Sequence, residues 1–298
     1  MAKEFDDVER RFNEIGKKCS KELEEAKIKP IDVDKFPFAQ NGIWAMIAGM
    51  GKGKTYNYLK LIAKQEVLRK EPFYETVVLC STSGDFDRTV KSYIGAIRKT
   101  SVEPIKDDNL LTWIDEYLEK FKLYNTIMRY IDSDMKRIDE DMAKLITENR
   151  LGKFWHGEMH VDSDKVLKFC ANTLAEIGWK THPHRVLLIL DDFASHPLLQ
   201  RKEDKLSRVL KKLRHYMITC VICVQTVKSI PKDIKRNVSD FILFPGISQY
   251  DFKDLIRESS ASCFDYNSAW EAYSKLKNDH DMYCIHVMAG KIIVTPAA

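Results

Sequence analysis

Gly51-Lys52-Gly53-Lys54-Thr55 closes an apolar run, Ile43-Trp44-Ala45-Met46-Ile47, and opens a helix-like segment that runs from Tyr56 to about Glu71. A strand, a glycine-rich loop and a helix in that order wrap an anionic phosphate chain, because the loop N–H groups and the helix N-terminus point at the same place. In such a loop the Lys54 ammonium reaches the β- and γ-phosphates and the Thr55 hydroxyl ligates Mg²⁺. The binding segment is therefore Gly49, Met50, Gly51, Lys52, Gly53, Lys54 and Thr55, with Tyr56 opening the helix, and the cofactors it implies are ATP and Mg²⁺. Ala48 stands where such loops usually begin with glycine, so the loop entry must have an ordinary backbone, since alanine resists φ > 0.

A second constellation follows much later. Val186-Leu-Leu-Ile-Leu190 is apolar throughout and ends in Asp191-Asp192. A strand without polar alternation belongs inside a parallel sheet covered on both faces, and ligands of such sheets collect at the carboxyl ends of the strands. Asp191 is placed to hold Mg²⁺, and Asp192, one residue on, to polarise an attacking water as general base. Met217 to Val224 is another buried strand, ended by Gln225, whose amide can sense a γ-phosphate or orient the water. Hydrolysis also needs a cation for the charge that moves in the transition state, commonly an arginine from a neighbouring subunit. Arg214, just before the Gln225 strand, is the candidate, with Arg236 and Arg208 behind it and Lys52 in the loop as a further cation.

The elements that must position these residues read as an α/β chain. Glu75 to Ser81 and Phe241 to Phe244 are further strands, and 282–288 with 291–295 flank Ala289-Gly290 as a terminal β-hairpin. Residues 1 to about 30 read as an amphipathic helix, so 1–35 is taken as an N-terminal arm and 36–298 as the core domain. A charged helical insertion interrupts that domain at about 104–182, with one or two amphipathic helices between Leu110 and Arg150. Residues 201–214 read as one basic helix with Leu206, Val209, Leu210 and Leu213 on one face.

Composition narrows the field. The 298 residues are 44% hydrophobic and 31% charged, with a formal net charge of +4, too weak by itself to argue for nucleic acid. No apolar run reaches the ~18 residues a membrane span needs, and the N-terminus lacks a signal-peptide stretch. Seven scattered cysteines fit a reducing compartment. Cys220 and Cys223 fall three apart in a strand, so they point to opposite faces and pack rather than ligate. His156, His160, His182 and His184 follow no metal-ligand spacing.

The loop with Gly-Lys-Thr, the strand into Asp191-Asp192, and above all Leu213-Arg-His-Tyr-Met-Ile-Thr-Cys-Val-Ile-Cys-Val-Gln-Thr226 resemble the FtsK-HerA superfamily of ring ATPases. Within it the best likeness is to the poxvirus-type genome-packaging ATPases of large double-stranded DNA viruses. It covers roughly residues 40–80 and 183–260 and leaves the arm and insertion aside. The resemblance implies a RecA-like P-loop ATPase (ASCE) fold, with its core strands ordered 5-1-4-3-2. It implies a homo-oligomeric ring, pentamer or hexamer, with ATP between subunits and double-stranded DNA passing through without sequence preference. A capsid or vertex protein is the implied partner, with no membrane, and the host cytoplasm or a viral factory the implied place. The alternatives are a helicase or conjugation-type pump of the same superfamily, or a nucleotide-binding assembly component with little turnover. Asp192 stands where the wider superfamily often has glutamate. Two basic clusters, Lys205/Arg208/Lys211/Lys212/Arg214 and Lys228/Lys232/Lys235/Arg236, are candidates for phosphate contact with DNA.

Overall fold

In the computed structural model the described residues are 41–68, 74–82, 88–97, 100–133, 138–156, 158–179, 182–193, 196–200, 205–277, 282–287 and 290–295. The N-terminal arm lies outside them. In chain order the elements are β1 (Ile43–Ile47), α1 (Lys54–Leu68), β2 (Thr76–Ser81), α2 (Arg88–Ile94), β3 (Ser101–Lys106), α3 (Asp107–Asp132), α4 (Glu140–Glu148), β4 (Gly152–Trp155) and β5 (Glu158–Val161). Then come α5 (Ser163–Glu176), β6 (Val186–Asp191), α6 (Pro197–Gln200), α7 (Lys205–Leu210), β7 (Ile218–Val224), α8 (Lys232–Lys235), β8 (Val238–Leu243), α9 (Gln249–Glu258), α10 (Tyr266–Ser274), β9 (Met282–His286) and β10 (Lys291–Thr295). The chain divides into two compact units, one of residues 1–111 with 185–298 and one of Thr112–His184.

The first unit is built on a sheet ordered β10-β9-β8-β1-β7-β6-β2-β3. Its five core strands, β8-β1-β7-β6-β2, stand in the order 5-1-4-3-2 that the resemblance implied. All neighbours from β8 to β3 run parallel, and the terminal hairpin joins antiparallel through β9 against β8. Every residue of β1, β2, β7 and β8 is buried, as strands without polar alternation require. One face packs Trp44, Met46, Leu187, Ile189 and Val221 against Tyr58, Leu59 and Ile62 of α1. Cys220 and Cys223 are both buried in β7, and among the described residues no cluster of three or more His, Cys, Asp or Glu side chains is arranged to hold a metal ion. No described helix is long and apolar enough to cross a membrane.

Two readings from the sequence need correction here. β3 was not expected: Ser-Val-Glu-Pro-Ile-Lys has weak strand character, and only its place at the rim, pairing on one side with β2, accommodates Pro104. The single helix expected over 201–214 is, in its described part, α7, a turn at Lys211-Lys212 and a 3₁₀ turn over Leu213–His215. Its apolar face is nonetheless as expected, since Leu206, Val209, Leu210 and Leu213 are all buried.

The second unit holds most of α3, then α4, α5 and a two-stranded antiparallel sheet, β4-β5, that the sequence did not announce. Trp179, 3% exposed, anchors it, with the rings of Tyr117, Tyr124 and His184 at 5.3, 6.1 and 5.9 Å. Both α4 and α5 end in the same 6→1 and 5→2 hydrogen-bond closure. In α5 the N–H of Trp179 donates to Leu174 O and that of Gly178 to Ala175 O, with Gly178 at φ +77°. In α4 the donors are Leu151 and Arg150, to Ile146 O and Thr147 O, and the left-handed position is Arg150, at φ 58°. Arginine where glycine is the default costs ~1 kcal/mol of backbone strain.

Gly152 explains how β4 sits on α4. A Cβ there would lie 2.7 Å from Val161 Cγ1, 2.9 Å from Ile146 Cγ2 and 3.0 Å from His160 O. Two of those atoms are branched side-chain carbons in a packed place and one is backbone, so they cannot simply turn away. Gly152→Ala is therefore expected to destabilise this unit by about 1–3 kcal/mol, read as a lower urea midpoint at unchanged m-value.

Candidate functional site

The carboxyl ends of β1, β6 and β7 lie side by side, because the register pairs Ile47 with Val224 and Leu190 with Ile222. The phosphate loop leaves β1 at this edge. The Ala48 N–H donates to Val224 O at 3.1 Å, extending the ladder one residue beyond the strand. Ala48 is buried and keeps φ in the ordinary region, as its Cβ requires, while Gly51 and Gly53 take φ +74° and +82°. Those two are the loop positions that need glycine. Gly49 and Met50 are exposed, Met50 at 84%, and Lys52, Tyr56 and Thr55 are half-buried.

Lys54 Nζ donates to Ala48 O at 2.7 Å and to Gly49 O at 3.0 Å, so the ammonium lies folded over its own loop. Thr55 Oγ1 donates to Asp191 Oδ2 at 3.2 Å, across 136 residues of sequence. The loop and the acidic strand thus meet at one point. Tyr58 joins them: its hydroxyl donates to the same Asp191 oxygen at 2.8 Å. Sequence reading missed this tyrosine, although it lies three residues after Thr55 and therefore on the same helix face. Burial holds the Tyr58 hydroxyl protonated, its pKa well above the ordinary value, so it stays a donor. Burial likewise raises the Asp191 carboxyl above its usual range, against the pull of the Tyr58 and Thr55 hydrogen bonds and the Lys54 charge.

Asp192 has φ 57°, a left-handed backbone that aspartate tolerates better than most residues. Thr82 Oγ1 donates to its carbonyl at 3.3 Å, and Gln225 Nε2 donates to its Oδ1 at 3.1 Å. The Asp192 and Gln225 side chains are both exposed and in mutual contact, at the end of β6 and the end of β7. A further pair secures the chain just past them. Leu198 N–H donates to His196 Nδ1, which leaves Nε2 as the protonated nitrogen donating to Asp107 Oδ2 at 3.0 Å. Sequence spacing offered no signal for it.

Arg214 is not brought to this edge. It lies in the 3₁₀ turn before β7, and the seven residues of that strand put about 23 Å between its two ends. Arg236 also precedes its strand, β8, and so stands at the opposite rim. Within one chain, neither Arg214 nor Arg236 thus joins Lys54, Thr55, Asp191, Asp192 and Gln225. The basic clusters are also partly spoken for. Lys211 bridges Asp233 at 2.9 Å, Lys228 bridges Asp251 at 3.2 Å, and Lys232 bridges Glu258 at 3.0 Å, while Lys235 is only 4% exposed.

Thr55 Oγ1 and Asp191 Oδ2 are hard oxygen donors of the kind Mg²⁺ takes beside phosphate and water. The residues fit the ion.

No curated protein matches the chain. Among solved structures, the genome packaging NTPase B204 from Sulfolobus turreted icosahedral virus 2, in complex with ATP-gammaS, is 12% identical, with 86% of this chain and 98% of that one covered and a TM-score of 0.45. B204, the DNA-packaging ATPase from Sulfolobus turreted icosahedral virus, is 14% identical over 87% of this chain and 98% of that one, at 0.45. The cytoplasmic domain of the Thermomonospora curvata Type VII secretion ATPase EccC is 14% identical over 86% and 25%, at 0.47. The family model described as Poxvirus A32 protein matches residues 158–266, a span that holds β6 with its two aspartates and β7 with Gln225 but not the phosphate loop. Over that span, from β5 through the acidic strand and the glutamine-capped strand, the chain is similar to the poxvirus A32 family.

Proposed function

We propose that the chain hydrolyses ATP to move double-stranded DNA, and that the movement packages a viral genome into a capsid. The observation that carries this reading is the 3.2 Å meeting of Thr55 and Asp191, which joins a phosphate-binding loop to an acidic strand end at one crevice. The sequence resemblance to packaging ATPases and the poxvirus A32 match support the viral setting.

Lys54, now hydrogen-bonded to Ala48 O and Gly49 O, exchanges those carbonyls for the β- and γ-phosphate oxygens when nucleotide enters. Thr55 and Asp191 would hold a Mg²⁺ ion, which when bound would offset the charge on the phosphates. Asp192 accepts the proton of the attacking water. Gln225, donating to Asp192 Oδ1, aims that carboxylate and orders the water beside it. Arg214, at the far rim of its own sheet, serves the crevice of a neighbouring subunit in a ring of five or six. DNA and a capsid or vertex protein complete the assembly, in the host cytoplasm or a viral factory.

The test is ATP turnover followed against protein concentration, with and without duplex DNA, in wild type beside Lys54→Ala. A sigmoidal, DNA-stimulated rise in wild type alone is expected. No turnover under any of these conditions would sink the motor reading and leave a nucleotide-binding assembly component. Gln225→Ala is expected to lower kcat roughly 10- to 100-fold, ~1.4 kcal/mol for each tenfold, with KM for ATP little changed. An equal rise in KM at constant kcat would instead make Gln225 a binding residue.

A further inference from the structure

The surface that stands out beyond the nucleotide crevice is on the insertion. A groove of about 560 Å³ opens there, lined chiefly by Arg150, Lys153, Trp155, His160, Asp162 and Lys165. The β4-β5 register pairs Lys153 with His160 and Trp155 with Glu158, and strand alternation puts these four on one face. Gly152 and Val161, a pair on the other face, are closed against Ile146 of α4. The hairpin is thus seated by one side and presents the other.

What it presents is cationic and aromatic. Lys165 Nζ is held by Asp162 at 2.9 Å, so those two charges offset. Among the described residues Arg150 and Lys153 have no carboxylate partner. Trp155 is 64% exposed, with the edge of the His156 ring against it at 5.8 Å. Glu158 lies across from Trp155 at the hairpin tip and does not line the groove. Unpaired cations beside an open indole suit a polynucleotide strand, whose phosphates take the charges and whose bases or sugars take the ring.

Backbone strain points the same way. α5 closes its last turn with Gly178 in the left-handed position, and α4 closes the identical turn with Arg150. The fold gains nothing from arginine there, because glycine fills that conformation without strain. A strained residue retained where a relaxed one is available is an argument for what its side chain does, and this side chain lines the groove. Around α7 and α8, by contrast, Lys211, Lys228 and Lys232 are each paired with a carboxylate of the chain.

We propose that the β4-β5 hairpin of the insertion, through Arg150, Lys153 and Trp155, is a nucleic-acid contact that grips the phosphodiester strand without reading sequence. The inference rests on the reading of the chain as a DNA-handling protein and assigns one of its DNA contacts.

The experiment measures binding of labelled duplex and single-stranded oligonucleotides of mixed sequence to the full chain, over a salt series and without nucleotide. Arg150→Gly with Lys153→Gln is expected to weaken binding about tenfold or more and to flatten the log–log salt slope by ~0.9 for each phosphate that is no longer neutralised. Trp155→Ala is expected to lower single-strand affinity roughly 5- to 100-fold if a base stacks on the indole, and to act equally weakly on both oligonucleotides if only a sugar does. Arg150→Gly alone should melt at the wild-type temperature or above it, which separates weakened binding from unfolding. ATP turnover without DNA should be unchanged in all these variants.

Binding of both oligonucleotides at wild-type affinity and slope by the double variant overturns the inference, and the face then belongs to an acidic protein partner. If turnover is stimulated by DNA while the variants bind normally, the hairpin contact fails and the motor reading stands. If wild type never turns over ATP but the variants no longer bind DNA, the motor reading fails and the contact stands.

Discussion

Asp192→Asn is expected to leave a folded, nucleotide-binding protein whose ATP turnover is lower by about 10²–10⁴-fold. The substitution removes little but basicity. Asparagine takes the left-handed φ of 57° at least as readily as aspartate, and its carbonyl oxygen still accepts the Gln225 amide. Melting temperature and nucleotide affinity are therefore controls that should barely move. Single-turnover hydrolysis under saturating Mg·ATP is the measurement. Turnover within a factor of a few of wild type would remove Asp192 from the chemistry and return the role of base to water held by other groups.

Asp191→Asn is expected to act in opposite directions on activity and on stability. If Asp191 holds Mg²⁺ as proposed, removing the carboxylate takes away a charged ligand, and turnover should fall by roughly 10²–10³-fold. The fold should gain about 0.5–2 kcal/mol, because a buried carboxylate held at a raised pKa is a strained group and the amide keeps an oxygen for Tyr58 and Thr55. The sign of the pH dependence follows. With the folded pKa above the unfolded value, the Asp191 contribution is fully present below the ordinary aspartate value of 3.8 and is lost as pH rises through the folded pKa. The melting-temperature advantage of Asp191→Asn should accordingly vanish in acid, grow as pH rises, and shrink again when Mg·ATP is added to wild type. A variant less stable than wild type at neutral pH would show that the carboxylate is already compensated.

The legible parts of this chain are those where one residue type has one physical use. Glycines at 51 and 53 take positive φ, an apolar strand that ends in two aspartates marks the edge of a parallel sheet, and the core strand order is the one the family resemblance implied, not one read from spacing. The illegible parts depend on partners far away in sequence. The β4-β5 strands are four residues each, too short for alternation to show. The turn at Arg150 carries none of the glycine that usually announces it. Tyr58 looks like any core aromatic until Asp191 is placed beside it. Lys211, Lys228 and Lys232 read as open charges because Asp233, Asp251 and Glu258 come close to them only through folding.

Pro104 has a consequence for how copies of this chain can associate. It sits in β3, the terminal strand on one side of the sheet, and pairs with Leu79. Its ring nitrogen carries no hydrogen, so that border is one donor short for any strand that tried to zip onto it. Growth by backbone addition is discouraged there. A second copy approaching from that side would meet a ladder interrupted at Pro104, so that side-chain contacts would have to carry more of any association there.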